Sequence, residues 1–483
     1  MKKKIIIALL FSTALAALEC IVLEDKININ RRLSVVRSYI KQKDVEKASF
    51  ILNSIKNENY DTEFASISNY YLALIEYERN NYYQSLYYIE SAFRNPNFGL
   101  LIDYYKSEIR YLLGLSYYKS GMRDDLIAVF SDAPDFFIDS VEKKSRIYLI
   151  LSDVLVRQKS DKNKALFYYS QIDKSTLTKE DLDLYIYLED IVLWDQIDIS
   201  QIGYKDPNVS AILVDKDNIF IGTWNGGLIQ YNYILEKYSY YAGESLSSSN
   251  IRYLYNDGRY IYIGTDDGLN YYDKRDGRFR LFEETKGTSI SAITADEDNL
   301  YIGTLGQGLI IYNKKDKKFH SNSKELLNNV AYLYIFDDTL AISTYSGDLY
   351  FYNDDNLRRI DSVKINSPIT SINKIGDNIW YSSYGNGIVR YNLKEKKYDY
   401  YSTNNGRIKD DYILCSGYYS GKIYFGTLGN GIYIYDIELE KWDSFDISNY
   451  YYGVNIKNIV FGDNVMFIGT LGEGVLKKTI LDN

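Results

Sequence analysis

Few side chains in this sequence could do chemistry, and they are widely spaced. The 483 residues include one histidine, His320, and two cysteines, Cys20 and Cys415. A zinc or copper centre draws three or four ligands from His, Cys and carboxylates, and a nucleophilic triad needs a His beside its Ser or Cys. Neither set is on offer. His320 reads as a solvated residue on a rim strand, and Cys415, within the apolar stretch YILCSG, as a buried free thiol with no disulfide partner. No glycine-rich loop follows a strand and opens a helix, so no phosphate cradle and no cofactor is expected. Carboxylates are the remaining reactive groups. Asp215, Asp217, Asp296 and Asp298 recur at one point of a repeated pattern, where turn formation accounts for them better than calcium does. A glycosidase-type pair of carboxyls would draw first on Asp266, Asp267 and Glu473.

Those last three belong to a phrase that occurs seven times. It reads IGTWNGGLIQYN at 221–232, IGTDDGLNYYD at 263–273 and IGTLGQGLIIYN at 302–313, and returns as ISTYSGDLYFYN, YSSYGNGIVRYN, FGTLGNGIYIYD and IGTLGEGVLKKT. Its Thr or Ser falls at 223, 265, 304, 344, 383, 427 and 470, in steps of 42, 39, 40, 39, 44 and 43 residues. A period near 40 with several short strands per unit is the signature of β-propeller blades. In the third unit the pattern predicts strands at 290–296, 299–304, 308–313 and 317–323, apolar inside and more polar at the rim.

The turn between second and third strands varies most. Its tips carry Trp224, Asn225, Asp266, Asp267, Gln307, Tyr345, Tyr384, Asn386, Asn430 and Glu473. In a propeller these tips share one face around the central channel. Aromatics beside amides and carboxylates suit a sugar or a peptide, so these ten residues are the candidate ligand- or partner-binding set. The bland alternative is a ring of ordinary hairpin tips with a few aromatics packed on adjacent blades.

The seventh unit lacks an outer strand, since only four residues follow GVLKKT. WDQIDIS at 194–200 matches WDSFDIS at 442–448, the outer strand of the sixth unit, and stands 29 residues before its Thr where the other stands 28. An N-terminal strand from 194 to 199 is therefore expected to close a seven-bladed ring and remove its free edge.

The core I-x-x-[IL]-x-x-D…N-[IL]-[WYF]-I-G-T-x-x-x-G-L-x-x-Y-[ND], spanning about 209–483, resembles the two-component regulator propeller repeat. The resemblance implies an extracytoplasmic sensor propeller of the kind found in membrane-bound hybrid histidine kinases that detect glycans. The sequence departs from that pattern in showing no kinase after the seventh unit, so any sensing is expected to pass through a separate partner.

Residues 27–175 read as helices joined by short polar turns. In 68–96 small Ala73 precedes a turn at Asn80 and a second helix with Ser85, Ile89 and Ala92; 110–134 repeats the layout with Gly114, Gly121, Leu126, Phe130, Ala133 and Pro134. LLGLSYYKSG at 112–121 resembles the tetratricopeptide repeat, and weaker copies lie at 31–57 and 145–172. That resemblance implies a helical stack binding peptides or partner proteins, with Tyr70, Tyr77, Tyr104 and Tyr117 as contacts; a plain helical spacer is the alternative. Ser85 and Leu126 stand where the family has Ala. Residues 176–193 form a connecting helix with a Thr cap and an acidic first turn.

Lys2 to Lys4, an apolar run and Ala14–Ala17 form an export signal, read as residues 1–17. Two other readings stand beside cleavage: a lipidated Cys20, or an uncleaved membrane anchor. Each places the protein outside the cytoplasm, in the periplasm or cell envelope. The net charge of −9 without a basic block speaks against nucleic acid. The expectation is an α+β multidomain chain, a tetratricopeptide-like helical solenoid followed by an all-β seven-bladed propeller. Its function is that of an exported, non-catalytic scaffold binding a protein or peptide partner. The rivals are a sensor subunit for a glycan or peptide and a carboxylate-dependent glycan enzyme.

Overall fold

A computed structural model describes residues 24–130, 140–159, 161–197, 199, 206–322, 327–353, 356–360, 367–445 and 454–481. The export segment 1–17, Cys20, Ala133 and Pro134 lie outside these residues. The chain divides into two compact units, Met1–Val192 and Leu193–Asn483.

The first unit contains nine helices among the described residues: α1 (24–41), α2 (Val45–Glu58), α3 (Glu63–Glu78), α4 (Tyr82–Phe93), α5 (Asp103–Ser120), α6 (Arg123–Phe130), α7 (Val141–Gln158), α8 (Lys162–Ser170) and α9 (Lys179–Val192). Side-chain caps start several of them: Asp44, Thr62, Ser140 and Asp161 each accept a backbone N–H from the first turn. Small residues stand where helices cross. A β-carbon on Gly114 would lie 2.7 Å from Ile147 Cδ1 and 3.1 Å from Phe130 Cζ, and Ala48, Ala73, Ala92 and Ala165 are fully buried. Three serines in these crossings satisfy their hydroxyls by donating across them. Ser66 Oγ bonds Ala92 O, Ser85 Oγ bonds Ala73 O and Ser152 Oγ bonds Ala165 O, at 2.9–3.0 Å. Ser85 is therefore buried without leaving its hydroxyl unpaired.

The second unit is a ring of seven four-stranded antiparallel sheets. Blades 1 to 6 occupy 209–241, 251–281, 289–322, 330–359, 369–401 and 413–445. Blade 7 takes three strands from 455–479 and its outer one from β1 (Trp194–Ile197), which pairs antiparallel with Val475–Thr479, Trp194 opposite Lys478 and Ile197 opposite Val475. The expected N-terminal closure of the ring is thus present. In blade 3 the strands run Ser289–Ala295, Asn299–Leu305, Leu309–Asn313 and Lys318–Asn322, within a residue or so of the predicted bounds.

Each letter of the repeated phrase has a physical task. The Thr or Ser hydroxyl is buried and closes its hairpin. It donates to a carbonyl three or four residues on, at 2.8–3.5 Å, in all seven blades, for example Thr304 to Gly308 and Ser383 to Gly387. The same oxygen accepts an N–H from the tip. The preceding Gly is where the next blade lands: a β-carbon on Gly264 would lie 2.8 Å from Ile290 Cγ2, and one on Gly303 2.5 Å from Val330 Cγ1. The Asn or Asp ending the third strand caps the following turn, as Asn313 Oδ1 does for the N–H groups of Lys315 and Asp316.

The innermost strands share one irregularity. Between the two apolar residues of I-x-x-[IL], the register skips in every blade, so one residue has no partner on the second strand. Each skip is a β-bulge, a device that re-aims a side chain.

Candidate functional site

The bulges aim into the central channel. The extra residues are Ser210, Arg252, Ser291, Ala331, Thr370, Leu414 and Lys457 in blades 1 to 7, and all seven line one cavity of about 650 Å³. Tyr253 and Tyr332, the residues after the bulges of blades 2 and 4, meet with ring centroids 6.5 Å apart and fill the space that Ala292 leaves in blade 3. At the channel mouth stand the first tip residues of five blades: Trp224, Tyr345, Tyr384, Leu428 and Leu471.

Three of the ten candidate residues are therefore brought together. Tyr345 and Tyr384 are 47% and 43% exposed, and Tyr384 sets its ring edge-on to Tyr412, itself 45% exposed, at 5.0 Å. Trp224 is half-buried, with the Arg252 guanidinium 5.6 Å from its ring centroid. Asp266 turns to Arg252, with which it forms an ion pair, and also accepts from Asn250 Nδ2 and Ser289 Oγ. Burial pushes the Asp266 carboxyl up, but the bonds from Arg252, Asn250 and Ser289 outweigh it and hold it below the usual carboxylate range. It is ionised and committed to its cation.

The other six tips serve the rim. Asn225 N–H donates to Asp206 Oδ2 (2.9 Å), Asp267 Oδ1 accepts from Gly287 N–H (2.9 Å), and Gln307 Oε1 accepts from Thr288 Oγ1 (3.1 Å). Asn386 accepts from Ser367 Oγ, Asn430 Nδ2 donates to Asp410 Oδ2 (3.0 Å), and the Glu473 carbonyl accepts from Gln196 Nε2 (2.7 Å). These bonds tie hairpin tips to the loops that lead into inner strands and, at Glu473, to β1. Backbone bonds such as Gly227 N to Ser249 O and Gly474 N to Pro207 O continue the stitching from blade to blade.

The wall residues Arg252, Lys457 and Asn458 are functional candidates that sequence reasoning passed over. The signal was the I-x-x-[IL] spacing. Two residues three apart cannot lie on one face of a regular period-two strand, so the spacing itself announces an extra residue.

The remaining candidates fall outside the channel. His320 is exposed on the outer strand of blade 3. Asp296 accepts from the N–H groups of Asp298 and Asn299 and from the Tyr301 hydroxyl, which is turn chemistry. Among the described residues no cluster of three His, Cys, Asp or Glu could hold a metal ion. In the helical unit Tyr70 is 7% exposed with its hydroxyl donating to Glu108, whereas Tyr104 is 59% exposed. Tyr77 and Tyr117 are half-buried.

Cys415 lines the channel wall but is buried, its Sγ 3.5 Å from Ile456 O, and burial pushes its thiol up to about 12. At pH 8 it is a thiol and not the thiolate that alkylating agents need. Mass-spectrometric mapping after native iodoacetamide treatment is expected to find Cys415 unmodified, with full labelling only in denaturant. Rapid native labelling would show an open channel wall.

No protein-family model and no curated protein matches the sequence. Solved structures do. The extracellular domain of BT3049 from B. thetaiotaomicron, described as a hybrid two-component system, superposes with a TM-score of 0.50 at 20% identity over 59% of this chain and 41% of its own. That of BT4673 from the same organism gives 0.50 at 22% identity over 59% and 39%. The chain thus spans about two fifths of the length of these domains. At such identity the likeness is one of fold. It is the likeness of this seven-bladed propeller to part of the extracellular domains of two-component systems.

Proposed function

We propose that the protein is an exported, non-catalytic recognition protein that takes a ligand or peptide at the channel face of its propeller and reports it through a separate partner. The observation that carries this reading is the convergence of Trp224, Tyr345 and Tyr384, with Tyr412, around the mouth of a channel of about 650 Å³. Large, partly exposed aromatics at the rim of a concave site on a rigid scaffold are what recognition needs. The likeness to extracellular domains of two-component systems and the basic, apolar N-terminus support a place outside the cytoplasm. Asp266, held ionised beside Arg252, is not the protonated carboxyl that a glycosidase uses as its acid.

The test is a triple variant, Trp224→Ala, Tyr345→Ala and Tyr384→Ala, in crosslinking capture from intact cell envelopes. Losing one aromatic anchor commonly costs about 2 kcal/mol, or roughly thirtyfold in affinity, so the variant is expected to lose its captured ligand or partner. Its melting temperature should stay close to that of the native chain because the rings face the opening. A variant that stays folded and captures the same partner moves recognition to the helical unit. There Tyr83, Tyr87 and Tyr104 are among the exposed aromatics, and a tetratricopeptide-like mode of peptide binding becomes the better reading.

A further inference from the structure

We infer that the central channel binds an organic anion, holding its charged group against Lys457 with Ser210 and Asn458 beside it. The inference rests on reading the channel face as the binding face and adds the chemistry of what enters.

Three observations converge. First, the channel has an unbalanced positive charge. Among the described residues the channel has two cations: Arg252 is neutralised by Asp266, while Lys457 has no Asp or Glu beside it in the cavity lining. Burial pushes the Lys457 ammonium below its ordinary value and Arg252 pushes the same way, with only Cys415 opposing. Some of the Lys457 surface still meets the open channel, yet protein surrounds it on the scale of an interior. A cation so placed costs stability unless something of opposite charge joins it.

Second, hydrogen-bond donors beside it lack acceptors. Ser210 Oγ and Asn458 Nδ2 are buried without a hydrogen-bond partner among the described residues. The comparison within the ring is informative. At the same bulge position Ser291 Oγ donates to Val330 O at 2.6 Å and Thr370 Oγ1 to Ile413 O at 2.8 Å, each reaching the next blade. Ser210 makes no such bond, and blade 1, which it occupies, follows the blade that carries Lys457 and Asn458. Buried polar groups without partners are uncommon, and the two that line the channel stand at the seam of blades 7 and 1.

Third, the room and its walls exceed what a bare ion needs. The cavity of about 650 Å³ is flanked by Ile212, Leu254 and Ile459 and by the rings of Tyr253 and Tyr332. An apolar or aromatic body bearing one carboxylate satisfies both the walls and the unpaired donors.

The experiment uses the full chain in titration calorimetry with benzoate, its neutral analogue benzamide, inorganic phosphate and chloride. Benzoate is expected to bind and benzamide to bind roughly thirtyfold more weakly, the scale for removing one partner of a buried charge pair. Lys457→Met is expected to reduce benzoate to the level of benzamide while melting no lower than the native chain, since it deletes an unpaired buried charge. Should that variant fail to fold, amine labelling of native Lys457 with and without benzoate supplies the readout, protection being the expected result. Equal binding of benzoate and benzamide, phosphate or chloride binding as tightly as benzoate, or neither heat nor protection at millimolar benzoate overturns the inference. The rim triple variant, assayed by capture on the same samples, separates the outcomes. Loss of its partner alongside a failed benzoate titration keeps the recognition face and removes only the anion.

Discussion

A propeller that begins at Asp206 is expected to aggregate and to melt well below one that begins at Asp190. The difference is β1. Its removal exposes the unpaired edge of Val475–Thr479, and an uncovered edge strand is a template for pairing with other chains. It also strips two blade interfaces. Ile197 belongs to the apolar cluster of Val209, Ile221, Tyr231 and Val475 that joins blade 7 to blade 1. Trp194 stacks on Phe445 of blade 6 at 4.9 Å and 26°, with the Lys478 ammonium 5.3 Å from its ring. Each buried large side chain is worth about 1.5–3 kcal/mol, so Trp194, Ile197 and Ile199 together approach the whole stability of a typical domain, about 5–15 kcal/mol. A fall in midpoint of roughly 10–20 °C follows for a unit of this size. Thermal melts and size-exclusion profiles of the two chains decide it, and equal midpoints would show that β1 carries none of the closure.

Gly426→Val is expected to be strongly destabilising. A β-carbon there would stand 2.5 Å from Ile456 Cγ2 on blade 7 and 2.7 Å from Cys415 Sγ on its own blade, so it is pinned from both sides. One added methyl in a filled core costs about 1–3 kcal/mol, and valine adds two more carbons at a branched position. The ring supplies its own control. Ser343 and Ser382 hold the equivalent place in blades 4 and 5, and Ser343 Oγ reaches Ile369 O at 3.3 Å, so those seams already accommodate a β-carbon. Ser343→Ala should shift the midpoint little while Gly426→Val lowers it by about 10 °C or more. Similar midpoints for both variants would mean that the blades are not packed this closely.

The repeated phrase made the ring legible because every blade solves the same problem with the same residues. A hydroxyl closes each hairpin, a missing β-carbon admits the next blade in five of seven, and a carbonyl side chain caps a turn. The match of WDQIDIS with WDSFDIS revealed the closing strand for the same reason: blades 6 and 7 need the same outer strand. The site was less legible. Variation at the tips reads as recognition, yet Asp267 and Gln307 bond the adjacent Gly287 and Thr288 of one loop and Asn430 bonds Asp410, each partner about 20 residues away. Those partners follow from how the loops fold back, which no local pattern encodes. The reverse holds for Lys457 and Arg252. As single charges inside apolar strands they resembled solvent-facing positions of an ordinary sheet, until the bulge turned them inward. In the helical unit Tyr70 looked like any other tyrosine, and only its place beneath Glu108 and Tyr71 buries it.

The bond from Gln196 to Glu473 joins residues 277 positions apart, and it has a consequence for the order of events in folding. Synthesis proceeds from the N-terminus, so β1 is the first strand of the ring to be made and the last to find its partner. The third strand of blade 7, Val475–Thr479, is not made until the six preceding blades have been delivered. Until then blades 1 to 6 can fold in sequence, each on the one before, while the segment at 194–199 waits with its apolar face uncovered. Closure is cheap once six blades have brought the ends together and costly for an extended chain, where a loop of this length carries about 5 kcal/mol of entropy. Refolding should therefore show a slow final phase reported by Trp194. A chain halted before residue 475 would hold a folded arc of blades with both ends open.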